Sequence, residues 1–410
     1  MSLREDANYI INETIKSVLP DSAVKKALDN FPECDGKIVL ISIGKAAWSM
    51  AKAGYEAFKD RISDGVVITK YFHNMGPIGN LKIFEAGHPI PDSNSFNATQ
   101  EAINCVKDLS EKDIVLFFIS GGGSALFEMP LIDENELNRL NNELLSCSAN
   151  ITEINTIRKR FSAVKGGKFA RLCEPAQVFS IILSDVIGDP LDAIASGPAV
   201  ADSSSVKDAL AIAEKYNLTL SEKMKELINI ETPKTVTNVK NFITGSVREL
   251  CVSAKKICSS LGYKPIVLSD SISCTARDAG TFLSNIAQYY NSSEESLAFI
   301  LGGETVVKIT GNGLGGRNQE LALSSAIGIE NLKDVAIFSV GSDGTDGPTD
   351  AAGGYVDTST AKVLRSKNID IFKVLQNNDS YNALKSCDGL IMTGPTGTNV
   401  NDFSVLLIKR

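Results

Sequence analysis

The stretch GGETVVKITGNGLGGRNQELALSSAIGIENLKDVAIFSVGSDGTDGPTD, residues Gly302–Asp350, reads as strand, glycine loop, helix, strand and acidic glycine loop. The first strand is predicted at Thr305–Thr310 (TVVKIT), which is rich in β-branched residues. Glycines follow at 311, 313, 315 and 316, and Arg317 opens a helix with apolar residues at 321, 323 and 327. Such a loop lets backbone N–H groups converge on an anion at the positive end of the helix dipole. Gly313, Gly315, Gly316 and Asn318 are the expected phosphate-binding residues here. The next strand, Val335–Val340, opens into Gly341-Ser342-Asp343-Gly344-Thr345-Asp346-Gly347, which offers carboxylates and hydroxyls to a hydrated divalent cation.

A second reading competes on the same residues. Gly311, Gly313 and Gly316 match the dinucleotide pattern G-x-G-x-x-G between a strand and a helix, as in a hydride-transfer enzyme. That reading wants an acid at the end of the following strand. Asp334 has roughly the spacing but stands at the strand's start, and Asp343 lies later in a glycine loop. A tight turn without a ligand is the third possibility.

Working outward, strand and helix alternate through both halves, which predicts two α/β domains. Short apolar runs at Lys37–Gly44, Gly65–Lys70, Lys82–Gly87, Asp113–Ser120 and Val178–Ser184 read as strands of an N-terminal, mostly parallel, Rossmann-like sheet. Further strands are expected at 241–246, 264–269 and 297–304, with helices between them. The polar, proline-containing Glu231–Lys240 is the candidate linker, so the domains are expected at 1–235 and 236–410.

Several strand ends carry chemistry. Lys45 follows the first strand directly, where open α/β sheets bind ligands. His88 ends the third strand in the rigid His88-Pro89-Ile90-Pro91-Asp92. Ser120-Gly121-Gly122-Gly123-Ser124 forms a compact nest for phosphate or carboxylate, although no G-x-x-x-x-G-K-[ST] motif occurs. Asp185, Asp189 and Asp192 fall within eight residues of a buried strand, a good place for a base or a metal ligand. The basic run Ile151–Leu172 is expected to be mostly a solvated helix face, with Lys165 beside Gly166-Gly167 as its candidate for a site.

Composition excludes several classes. With 410 residues, 43% hydrophobic and 22% charged, the chain is an ordinary globular protein with room for two cores. The net charge of −8 disfavours nonspecific nucleic-acid binding. Eight cysteines without a C-x-x-C pair fit a reduced, cytoplasmic protein, and two histidines make a histidine-rich zinc site improbable. The acidic N-terminus lacks the apolar core of a signal peptide, and no apolar run is long enough for a membrane span.

The ordered motifs resemble a known family. GKAAWSM at 44–50, AGHPIPD at 86–92, SGGGSALF at 120–127, SAVKGG at 162–167 and LSDVIGDPLDAIASGP at 183–198 come first. GGETVV at 302–307, GRNQELAL at 316–323, SDGTDGPTDAAG at 342–353 and GPTGTNVNDF at 394–403 follow. Together they resemble the type II glycerate kinases, whose C-terminal half is called the MOFRL domain and whose older members were labelled hydroxypyruvate reductases. The resemblance implies ATP- and Mg²⁺-dependent phosphorylation of D-glycerate, with the site in a cleft between two α/β domains. Phosphorylation of the 2-hydroxyl is favoured; the 3-hydroxyl and an NAD(P)-dependent hydroxypyruvate reductase are the alternatives. On that basis Lys45 and Arg317 hold the glycerate carboxylate and the transferring phosphoryl group, helped by His88 and Ser120. Asp189, ahead of Asp185, is the base. Gly121, Gly122, Gly123, Ser124 and Lys165 join the 313–318 loop around ATP, and Asp343, Asp346 and Glu304 hold Mg²⁺ or another divalent cation. The expected partners are the two small substrates, without nucleic acid or membrane, in a monomer or homodimer.

Overall fold

The structure, a computed structural model, describes residues 2–410. Helix α1 (Leu3–Ser17) starts in a capping box, in which Ser2 and Glu5 satisfy each other's backbone N–H groups. Its buried Asp6 accepts hydrogen bonds from Tyr263 Oη and Lys409 Nζ, both at 2.7 Å. These bonds attach α1 to the far end of the chain. Two compact units result: residues up to Ser22 with Gly245–Arg410, and Ala23–Thr244.

In the Ala23–Thr244 unit the elements run α2 (Pro20–Leu28), β1 (Ile38–Ile43), α3 (Ala47–Phe58), β2 (Ile62–Lys70), β3 (Lys82–Ala86), α4 (Ser93–Val106) and β4 (Ile114–Ile119). Then come α5 (Gly123–Leu126), α6 (Glu134–Ser146), α7 (Ile151–Phe161), α8 (Lys168–Leu172), β5 (Gln177–Leu183), α9 (Val206–Lys215), α10 (Glu222–Ile228) and β6 (Val239–Gly245). The sheet order is β3-β2-β1-β4-β5-β6, and the pairs from β3 to β5 are parallel. β1 and β4 are buried along their whole length, as strands covered on both faces must be. A separate apolar cluster joins α6, α7, α9 and α10.

The other unit contains α11 (Val247–Ser260), β7 (Lys264–Ile272), α12 (Ala276–Tyr289), β8 (Leu297–Gly303), α13 (Arg317–Ile329) and β9 (Val335–Gly341). It continues through β10 (Gly353–Asp357), α14 (Thr360–Ser366), α15 (Ile371–Gln376), α16 (Ser380–Ser386), β11 (Leu390–Ile391) and β12 (Asp402–Ile408). Here the sheet is mixed, in the order β11-β10-β9-β12-β8-β7. β12 runs antiparallel between β8 and β9, so Asp402 at its start faces Gly303 and Gly341 at their ends. That register brings the two loops after β8 and β9 to one sheet edge with the start of β12.

Four expectations change. Thr305–Thr310 is not a strand: β8 ends at Gly303, and only a single bridge, Thr275 to Val306, follows it. Val306 and Ile309 are 54% and 81% exposed, so β-branched residues here record extended backbone rather than a place in a sheet. The boundary falls at Thr244/Gly245, not at 235, and α1 goes with the C-terminal half. Glu231–Lys240 is bound within its unit, since Thr232 Oγ1 donates to Asp202 at 2.7 Å and Asn238 N–H groups reach Ala170 and Ala176. Finally, the basic run of α7 is not solvated. Lys159 and Arg160 are buried, the first against Asp202 at 3.2 Å and the second against the Ile230 and Ser204 carbonyls.

Candidate active site

At the carboxyl edge of the parallel sheet, β1 and β4 are stitched together just beyond their ends. Ser120 Oγ donates to the Ile43 carbonyl and accepts from the Ala46 N–H, both at 3.1 Å, and the Lys45 N–H donates to the Gly121 carbonyl at 2.9 Å. The buried Ser120 hydroxyl is therefore engaged by backbone on both sides, which makes it a brace rather than a substrate contact. The Lys45 backbone is fixed, yet its ammonium makes no ion pair or hydrogen bond among the described residues.

The three glycines after Ser120 allow close approach. Gly122 has φ +83°, and a Cβ there would lie 2.9 Å from the His88 ring and 3.3 Å from Lys45 Cγ. A Cβ on Gly121 would overlap the Asp185 carboxylate. Lys45, His88 and Asp185 thus converge on one turn. Burial holds the His88 imidazole down to about 4, and the neighbouring Lys45, Lys70 and His73 act in the same direction. At neutral pH His88 is an uncharged hydrogen-bonding group beside a cation. Asp189 has φ +51° and one buried carboxylate oxygen without a partner, but the carboxylate standing over the glycine turn is that of Asp185.

Lys165 does not face a phosphate. Its ammonium is buried, pairs with Glu128 at 2.8 Å, and donates to the Ser124 and Phe127 carbonyls at 2.7 and 3.1 Å. Burial lowers its pKa, with Glu128 opposing. Ser124 Oγ is paired with Ser196 Oγ at 2.8 Å. Both residues brace the turn from below.

In the other unit the glycine loop is already filled. The N–H groups of Thr310 and Gly311 donate to Asn378 Oδ1, that of Asn312 to Asn377 Oδ1, that of Gly313 to the Asn377 carbonyl, and that of Leu314 to Asp379 Oδ1. A Cβ at Gly311, Gly313 or Gly315 would collide with the Asn377–Ser380 turn. At the start of α13, Asp346 accepts from the N–H groups of Asn318 and Gln319 at 3.1 and 2.8 Å. It occupies the helix N-terminus as an internal hydrogen-bond acceptor. Burial pushes its carboxyl up to about 7, against the pull of those two donors. Asn318 is buried and engaged with Ser339 Oγ at 2.5 Å. Gly313, Gly315, Gly316 and Asn318 therefore pack the loop, and Asp346 caps a helix.

Arg317 meets Asp402 through Nε and Nη2 at 2.6 and 3.0 Å, and Glu304 through Nη1 at 2.8 Å. Burial opposes its charge, yet Asp402 and Glu304 raise its pKa above the ordinary arginine value. The guanidinium keeps two N–H groups outside these bonds. Asn401 donates to the other Glu304 oxygen at 3.2 Å. Among the described residues no three His, Cys, Asp or Glu side chains gather in a metal-binding group. Of the expected ligands, Asp346 is turned to its helix and Glu304 is engaged on both oxygens. Asp343 accepts from the Thr345 N–H and hydroxyl through Oδ1 alone, leaving Oδ2 open. Mg²⁺ carried by nucleotide phosphates needs only one or two carboxylates, so Asp343 fits it and the other two do not.

Family models match the chain as a domain of unknown function, DUF4147, over residues 6–229 and as the MOFRL family over 297–402. A protein named D-glycerate 2-kinase from Thermotoga maritima is 49% identical across 99% of both chains. The chain belongs to the type II glycerate kinase family. A glycerate 2-kinase from Pyrococcus horikoshii is 40% identical over 100% of this chain and 98% of its own. A crystal structure of a glycerate kinase from Thermotoga maritima superposes with a TM-score of 0.95, covering 99% of each chain.

Sequence reasoning missed Asp402 and Asn401 as partners of Arg317 and Glu304. Asp402 stands in the family motif GPTGTNVNDF, but its role depends on β12 running antiparallel between β8 and β9, which no local pattern announces.

Proposed function

We propose that this chain transfers the γ-phosphoryl group of ATP to the 2-hydroxyl of D-glycerate. The observation that carries this reading is the near-complete alignment, at 49% identity, with a D-glycerate 2-kinase. The geometry supports it, because a small hydroxy acid needs one cation, one neutral hydrogen-bonding group and one carboxylate close together. Lys45, His88 and Asp185 are those three around the Gly121–Gly122 turn.

In this mechanism Lys45 anchors the substrate carboxylate, and the adjacent 2-hydroxyl is held one carbon away with little freedom. Asp185, rather than Asp189, accepts the hydroxyl proton as the oxygen attacks phosphorus; the new O–P bond forms as the bond to the ADP oxygen breaks. His88, kept neutral, hydrogen-bonds substrate without adding charge. In its own unit Arg317 offers its two remaining N–H groups to a phosphate oxygen. Mg²⁺, when bound with the nucleotide, neutralises phosphate charge, and Asp343 is the residue that would hold it. The enzyme is read as cytoplasmic, a monomer or homodimer; no described helix is long and apolar enough to cross a membrane.

The hydroxypyruvate reductase alternative needs the 311–316 loop to receive a pyrophosphate. The N–H groups from Gly311 to Leu314 are committed to Asn377, Asn378 and Asp379, which argues against it. Enolase added directly to the product mixture is the test. Phosphoenolpyruvate formed without a mutase is the expected result; formation only after mutase addition assigns the 3-hydroxyl instead.

A further inference from the structure

His88 follows β3, and the turn it rests on, Gly121–Gly122, follows β4. In the sheet order β3-β2-β1-β4, the ends of β2 and β1 lie between those two points. The last residue of β2 is Lys70, and β1 runs into Lys45. The register sets the two ends level, since Ile43 pairs with Ile68 and Lys70 pairs with Ala86, two residues before His88. The imidazole therefore reaches across the strand ends that bear both lysines.

Neither ammonium has an ion-pair partner among the described residues, although acids stand nearby. Glu85 accepts the N–H groups of His73 and Asn74, both at 3.1 Å, and Asp92 accepts from Tyr71 Oη at 2.6 Å and caps α4. These carboxylates are engaged with the loop that follows β2 and with a helix end. Lys70 is half-buried, and its charge bears on His88 together with that of Lys45. With the Asp185 carboxylate on the Gly121 side of the turn, two cations without ion-pair partners still leave this partly desolvated edge net positive, a charge that a bound anion neutralises.

We propose that Lys70 is a second substrate-binding cation and that the carboxylate of the hydroxy acid lies between Lys45 and Lys70, one oxygen to each. This rests on the functional reading above and adds a specificity determinant to it. With both oxygens held, the carboxylate plane is fixed, and rotation about the bond to the hydroxyl-bearing carbon is restricted. Neutral polyols of the same size lose both contacts.

Steady-state kinetics of Lys70→Gln and Lys70→Arg against wild type test this. Lys70→Gln is expected to raise the KM for D-glycerate on the order of ten- to a hundredfold, the weight of a charge-assisted hydrogen bond, with the KM for ATP unchanged. Lys70→Arg keeps the charge and is expected to recover most of that loss. A glycerate KM unchanged in Lys70→Gln overturns the proposal, as does an ATP KM that rises by the same factor, which would assign Lys70 to the nucleotide. Should Lys70→Gln fail to fold, Lys70→Met, which keeps the apolar stem of lysine without its charge, is read by the same KM pair with the same two outcomes. Wild type without activity on glycerate would remove the functional reading and this one with it.

Discussion

The turn Ser120–Ser124 and the loop Gly311–Arg317 look alike as sequence, glycine-rich and placed before a helix, yet the molecule uses them in opposite ways. Around Gly121 and Gly122 the missing side chains admit Asp185, His88 and Lys45, and the Lys45 ammonium remains without a partner. Around Gly311, Gly313 and Gly315 the missing side chains admit the backbone of Asn377–Ser380, and Asp346 fills the helix end. One region leaves its cation uncommitted; the other has supplied its own acceptors. A glycine-rich loop is therefore read correctly only when the destination of each N–H is known.

Removing the open region's cation should give the largest effect. Lys45→Ala is expected to lower kcat/KM on the order of 10²-fold or more, because it removes charge stabilisation at the substrate. Its far-ultraviolet circular dichroism and thermal midpoint should stay near wild type, since the lysine side chain makes no described bond. Near-wild-type turnover would erase the contrast between the two loops.

The filled region should respond in stability instead. Asp346→Ala leaves two buried N–H groups at the start of α13 without an acceptor, a loss of about 2 kcal/mol. Urea unfolding reads that loss directly. The Mg²⁺ concentration giving half-maximal activity should not move, because Asp346 is a cap; a large rise would restore it as a metal ligand. Arg317→Lys comes next, at roughly tenfold in kcat/KM, since one ammonium cannot reproduce the fork on Asp402 and also serve the phosphoryl group. Full activity with lysine would show that charge alone suffices there.

Much of this was legible in the sequence because it is local. Buried strands such as Ile38–Ile43 and Ile114–Ile119 announce themselves as apolar runs, and Lys45 is placed by the strand it follows. What escaped is what depends on distant pairing. Asp402 joins Arg317 only because β12 inserts between β8 and β9. The Asp185 carboxylate stands over Gly121 only because β4 and β5 are neighbours. Lys159, Arg160 and Lys165 read as solvated or phosphate-binding charges because their partners, Asp202, Ser204 and Glu128, lie far along the chain. Charges that a local reading places in water were drawn inside by acids and carbonyls it could not see.

The smallest effect concerns His88, and its sign is fixed by the direction of its shift. The folded imidazole titrates at about 4, below its ordinary 6.5, so between those values the unfolded chain binds more protons than the folded one. Folding stability must then rise with pH through that window and fall as acid is added. His88→Gln keeps a hydrogen-bonding side chain but has no proton to take up. The wild type is therefore expected to lose more in thermal midpoint than His88→Gln on going from pH 7.5 to pH 5, with the two curves parallel above pH 7. If the two variants lose stability equally, His88 is as easily protonated folded as unfolded, and the open turn is wetter and less cationic than its geometry requires.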